Sequence, residues 1–188
     1  TDPTGTFTKS NLAVACCDIH YANGYWVATS YNSGNIYYTT DITSTWTTKN
    51  LGASGSIGSL RNIYFGNGYW VAGSNSGGYI SYINSTDPSG DWTTISQGTQ
   101  KFIGLIYADG YWVTGDAQTP FGMYLKKETP DGTWEKNSTT AGYQITSVAF
   151  EGGYWLATAY GGYIFLKNNA YVLPIISNDK SFAYIKGK

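Results

Sequence analysis

The chain has 188 residues and a mass of 20.5 kDa, the size of one domain or one module of a longer protein and enough to bury a real core. Charged residues are only 12% of it, aromatics are 17%, and the formal net charge is -1. Aromatic richness excludes a disordered segment, and the missing basic charge excludes a nucleic-acid binder that works by neutralising phosphates.

Thr1 rather than Met opens the chain, as expected of a processed or excised segment. Residues Thr1-Asp2-Pro3-Thr4-Gly5-Thr6-Phe7-Thr8 align with Thr86-Asp87-Pro88-Ser89-Gly90-Asp91-Trp92-Thr93, placing Phe7 where Trp92 stands. Leu12 to Cys17 is the longest apolar run, far below the ~18 residues that span a bilayer, so no membrane insertion is expected. Cys16 and Cys17 are adjacent, which predicts no ordinary disulfide; they read as small buried hydrophobes at the start of a repeat. His20 and Arg61 are the only histidine and arginine. No metal site is expected from this set, nor any cofactor, and His20 reads as a packed residue near the centre of the fold.

From Gly24 onward the chain repeats. Gly24-Tyr25-Trp26-Val27-Ala28 returns as Gly68-Tyr69-Trp70-Val71-Ala72, Gly110-Tyr111-Trp112-Val113-Thr114 and Gly153-Tyr154-Trp155-Leu156-Ala157, at spacings of 44, 42 and 43 residues. Each copy follows an apolar run and a two-residue turn: Asn23-Gly24, Asn67-Gly68, Asp109-Gly110 or Gly152-Gly153. Such pairs accept positive φ at both positions, as a type I′ hairpin requires. A polar loop, an aromatic strand, a second turn and a short strand carrying Trp46, Trp92 or Trp134 complete the unit. Four-stranded units of this length predict an all-β fold, a β-propeller of four four-stranded blades. The repeats fall around residues 13–50, 57–97, 101–137 and 143–167. The fourth lacks a tryptophan strand, so residues 1–9 are expected to close it, giving a propeller over 1–167. The tail, 168–188, breaks the repeat and carries enough apolar side chains to be expected to pack on the propeller or a partner.

The segment Ser85 to Trp92 resembles the Asp-box (sialidase-type, or BNR) repeat; Thr129 to Trp134 is a shorter version, and Thr39 to Trp46 lacks its glycine. The resemblance implies that Asp41, Asp87, Asp131 and, at the N-terminus, Asp2 cap backbone amides of their own turns. Sialidases of that family hold a substrate carboxylate with three arginines, and this chain has one. Glu128, Glu135 and Glu151 fall in or beside turns of different repeats, whereas a glycosidase needs two carboxyls about 5–9.5 Å apart. No enzyme is therefore expected; a divergent glycoside hydrolase is the catalytic alternative.

The tight turns should share one face of the propeller. The other face carries loops that vary between copies, and recognition concentrates on loops held by a rigid frame. Tyr31, Asn32, Asn75, Asp116, Gln118 and Tyr160 are the candidate ligand-binding residues there, with aromatic rings to stack on sugars and amides to bond hydroxyls. The ending from Leu173 to Lys186 is similar to those of bacteriophage tail-fibre and structural proteins. That resemblance, with the low charge and the Tyr, Asn, Gly, Ser and Thr richness, implies a non-catalytic extracellular or virion module. Its expected partners are a surface glycan or a protein receptor, neighbouring virion or surface-assembly proteins, and a second copy in a homo-oligomer. The alternative is a purely architectural propeller docked among virion proteins.

Overall fold

The computed structural model describes residues 4, 6, 7, 9, 12–52, 57–168 and 172–175. Sixteen strands among them form four antiparallel sheets, each with its strands side by side in chain order. Blade 1 contains β1 (Cys16–Ala22), β2 (Tyr25–Ser30), β3 (Asn35–Thr39) and β4 (Thr47–Asn50). Blade 2 contains β5 (Leu60–Gly66), β6 (Tyr69–Ser74), β7 (Tyr79–Asn84) and β8 (Thr93–Ser96). Blade 3 contains β9 (Phe102–Ala108), β10 (Tyr111–Asp116), β11 (Gly122–Lys127) and β12 (Glu135–Asn137). Blade 4 contains β13 (Ile145–Glu151), β14 (Tyr154–Ala159), β15 (Tyr163–Asn168) and β16 (Val172–Ile175).

Local chemistry sets each first hairpin. Asn23 and Gly24 have φ of 51° and 82°, and the other three pairs match them: Asn67 and Gly68 at 47° and 80°, Asp109 and Gly110 at 48° and 77°, Gly152 and Gly153 at 57° and 80°. Both central positions are left-handed, as the I′ turn demands, and its twist suits the flanking strands. Each inner strand then carries a one-residue register shift opposite the end of the second strand. Such a bulge bends the strand and sharpens its twist.

Packing runs from blade to blade. Trp70 and Trp112 are fully buried. Each stacks on a ring of its own inner strand, Phe65 at 5.1 Å and Tyr107 at 5.0 Å between centroids. Each also meets a ring of the preceding blade's inner strand: His20 lies 5.9 Å from Trp70, and Tyr64 lies 6.5 Å from Trp112. Around these rings Val27 and Ile36 of blade 1 pack with Ile63 of blade 2, and Val71 and Ile80 of blade 2 with Leu105 of blade 3. Polar groups bridge the inner strands too. Ile63 N–H donates to Asp18 Oδ2 at 3.0 Å, and Asn62 Nδ2 donates to the Phe102 carbonyl at 2.9 Å.

Three expectations are corrected. The outer place in blade 4 belongs to β16, which pairs Val172 with Lys167 and Ile175 with Ile164. The expected closing strand over residues 1–9 falls partly outside the described residues, and the described Thr4, Thr6, Phe7 and Lys9 lie in no strand. Blade 1 packs on blade 2, blade 2 on blade 3 and blade 3 on blade 4, but no comparable packing joins blade 4 to blade 1 among the described residues; the four blades form an arc. Cys16 and Cys17 are exposed, because they lie on the face of blade 1 that no other blade covers among the described residues.

Trp112→Ala is expected to lower stability by about 3–5 kcal/mol, the usual cost of deleting a buried indole, read from the urea unfolding midpoint. A loss under about 1 kcal/mol would remove the interblade stack from the core.

Candidate functional site

The first two interblade junctions are filled by the same groups from the centre outward. Beyond the inner tryptophan, a tyrosine pair lines the preceding blade: Tyr25 and Tyr38, then Tyr69 and Tyr82, each pair 6.3 Å between ring centroids. An outer tryptophan of the following blade packs into that junction: Trp92 in the first, Trp134 in the second. Each is held by its own turn, the indole Nε1 donating at 2.9 Å to the carbonyl of Pro88 or Pro130.

Among the described residues, the third junction lacks this plug. The fourth repeat has no tryptophan after Leu166, and Leu125 stands where Tyr38 and Tyr82 stand in the earlier blades. A cleft of about 250 Å³ remains between blades 3 and 4. Tyr111, Met123 and Leu125 form one wall, Trp155 and Phe165 the other, with Asp109, Asn137 and Lys167 among the polar groups around them. The cleft reaches from the Asp109 turn to Thr139 and Thr140 beyond the far end of β12. Walls of six-residue strands give it a height of about 20 Å. Trp155 is only partly buried here, unlike Trp70 and Trp112. A concave, mostly apolar slot with a few polar groups at its margin suits a small ligand or an inserted side chain.

The residues singled out from sequence separate into two groups. Tyr31, Asn75 and Tyr160 occupy equivalent places just after the second strands. Their backbone N–H groups donate to Ala15, Ser59 and Gln144 carbonyls at 2.8, 3.0 and 2.9 Å, which sets them on one face of the arc. Tyr31 is 47% exposed and Tyr160 68%; Asn32 is exposed, and Asn75 and Gln118 are partly so. Asp116 is different: it is 1% exposed, and its Oδ1 accepts from Lys101 N–H at 2.9 Å and Gln118 N–H at 2.8 Å. It fastens its loop as Ser74 does in blade 2, where Ser74 Oγ accepts from Tyr79 N–H at 2.8 Å. Burial pushes the Asp116 carboxyl above its usual range, against the pull of those N–H donors and of Lys136 and Lys101.

The described turn aspartates bond within their own turns. Asp41 Oδ1 accepts from Thr43 N–H at 2.9 Å and Asp87 Oδ1 from Ser89 N–H at 2.8 Å; Thr129 Oγ1 donates to Asp131 Oδ1. Asp2 lies outside the described residues. His20 stacks on Tyr64 at 4.4 Å, and burial holds its imidazole below the ordinary value while Asp18 opposes that shift. Among the described residues no group of three His, Cys, Asp or Glu side chains could hold a metal ion. The cleft itself was not picked out from sequence, although its signal, the missing fourth tryptophan, was in plain view.

No family model matches the chain, and no curated protein does. Solved structures do. The chain is similar to the computationally designed Ika4 protein, at 12% identity over 83% of this chain and 92% of that one, TM-score 0.63. It is similar to YCF48 from Cyanidioschyzon merolae, at 18% identity over 85% of this chain and 58% of that one, TM-score 0.57. YCF48 bound to D1 peptide matches at 18% identity and TM-score 0.61, over 88% and 52%. BamB from Moraxella catarrhalis matches at 13% identity over 79% and 41%, TM-score 0.57. The chain thus spans about half the length of the YCF48 and BamB chains, and the fold is that of a β-propeller.

The raised Asp116 carboxyl fixes the sign of one pH effect. The fold favours its neutral form, so that contribution is present below the ordinary value of 3.8 and lost as pH rises through the raised one. Asp116→Asn removes the titration and keeps an oxygen for the two N–H donors. Urea unfolding at a series of pH values should show the variant gaining on the wild type as pH rises from 3.8 towards neutrality. A gap that stays constant, or moves the other way, would contradict the assignment.

Proposed function

We propose that this propeller is a non-catalytic recognition module that takes a protein segment into the cleft between blades 3 and 4. The observation that carries the reading is the outer place in that junction, which no described residue fills. The first two junctions seat an aromatic side chain of the same chain there, and the third offers the same kind of wall with no such plug among the described residues. An aromatic residue of a partner would gain burial against Tyr111, Leu125, Trp155 and Phe165, and large aromatic anchors in such pockets carry most of the energy of a small interface. Lys167 on one side and Asp109 on the other would select charges flanking that anchor. The YCF48 structure with a bound peptide lends support, as a propeller of this kind that takes one.

A second reading has its own observation. Tyr31 and Tyr160 are the broadly exposed aromatics of the loop face, at equivalent positions of the two end blades. Flat exposed rings beside Asn32 suit stacking on a glycan. For both readings we place the module in an extracellular or virion assembly, on its low charge and its Tyr, Asn, Gly, Ser and Thr content; the wholly architectural propeller and the divergent hydrolase are the rivals.

Panning a random-peptide display library on the immobilised protein tests the first reading. Enriched peptides should share an aromatic residue, and Tyr111→Ala should weaken the best of them about tenfold, near 1.4 kcal/mol. Peptides without an aromatic anchor, or binding indifferent to Tyr111→Ala, would remove the cleft reading. On a glycan array, retention lost with Tyr31→Ala or Tyr160→Ala would establish the second. Turnover of a chromogenic glycoside or sialoside, abolished by one acidic substitution, would overturn the non-catalytic assignment.

A further inference from the structure

The two ends of the arc present the two halves of one interface. In blades 2, 3 and 4 the residue five before the motif glycine is buried against the preceding blade: Ile63 is 1% exposed, Leu105 4% and Val148 6%. Ile19, in the same place in blade 1, is 48% exposed. Around it lies a shallow hollow lined by Val14, Cys16, Ile42 and Trp46, and Tyr21 beside it is exposed. At the other end the pattern is reversed. Ile36 and Ile80 are fully buried against the following blade, whereas Ile164, in the same register position of blade 4, is 45% exposed. Thr29 is fully buried, but Thr158 is exposed.

We propose that two copies of this chain close into one eight-bladed ring, blade 4 of each covering blade 1 of the other. Three observations select a second copy as the occupant. The bare faces continue an interface already formed three times within the chain, so each is built to meet the other. They need no charge partner: the hollow on blade 1 is lined mostly by apolar and aromatic groups, its one carboxylate, Asp18, already accepts from Ile63 N–H of blade 2, and the face of blade 4 offers Thr158 and Ile164. The extent also fits. The chain aligns with 52% of the peptide-bound YCF48 chain and 41% of the BamB chain, about half of each longer propeller, so a second copy supplies about the length that one copy lacks. A head-to-tail contact either closes or runs on into a filament, and a half-ring closes at two. Within the new junction Trp26 would lie near Ala149, as Trp155 packs near Ile106 in the junction between blades 3 and 4. Edge-on faces of this kind invite association unless covered.

Light scattering on the eluting full chain is the test. The expected mass is twice 20.5 kDa, and Ile19→Asp and Ile164→Asp should each halve it. Both positions are exposed in the single chain, so near-UV circular dichroism should stay that of a folded protein. Mixing the two variants should restore a dimer, since one intact junction can still form. Cys16 and Cys17 give an independent reading on the wild type: both should react slowly with a thiol reagent when concentrated and quickly on dilution. Several outcomes would overturn the proposal: a monomer at high concentration, a mass above the dimer, or loss of the dimer with only one of the two variants. The first would assign the bare faces to further blades of a longer chain or to a different protein.

Discussion

Everything in this molecule depends on one contact: an indole from the second strand of a blade set against a ring on its own inner strand and against the blade before it. A sheet packed on both sides cannot use the alternation of polar and apolar residues that serves a half-exposed sheet. Val27, Val71 and Val113 are buried on one side of their sheets while Ala28, Ala72 and Trp112 are buried on the other. The tryptophan is large enough to span the gap between two blades that diverge outward, and its N–H finds a carbonyl in its own blade, Thr86 for Trp70 and Glu128 for Trp112, each at 3.1 Å. A buried indole without such a partner would carry a desolvation cost. Interlocking of this kind turns four separately marginal sheets into one body.

The repeat was legible because its signals are local. A turn pair with positive φ, a fixed motif behind it and a constant period need no tertiary knowledge, and they located the blades and their first hairpins. Asp41 and Asp87 were legible for the same reason, since each bonds an amide two residues on. What escaped depends on neighbours distant in sequence. Asp116 looked like a loop residue, but it ends β10, where Ser30 and Ser74 end β2 and β6 as small buried caps. The outer strand of blade 4 carries neither the tryptophan nor the turn of the other blades, and it contains Pro174. Proline is tolerated at a sheet edge, where no further strand needs its missing N–H. The bare ends of the arc could not be read from the repeat either, because Ile19 and Ile63 occupy the same motif position and differ only in what stands before them.

The two faces of the arc are under different constraints. On one, four tight turns share the same left-handed pair of conformations. On the other, the residues after the second strands keep a common backbone bond while their side chains range from tyrosine to asparagine to alanine. Geometry is thus held by the backbone and identity is left free, an arrangement in which surface character can change without disturbing the core. The cleft between blades 3 and 4 differs from both faces, for it arises where one repeat departs from the others and lies in the frame itself.

A linear series of blades, each touching only its neighbours, has the thermodynamics of a one-dimensional chain. Blades 2 and 3 hold two interfaces each and blade 4 holds one, filled by smaller residues such as Ala157 and Ala159. In the single chain, opening therefore costs least at that end. Local unfolding that begins at blade 4 removes one wall of the cleft while leaving the aromatic core of blades 2 and 3 intact. A partner seated in the cleft would hold shut the part of the molecule that opens first, so that occupancy and the lifetime of the folded state become linked quantities.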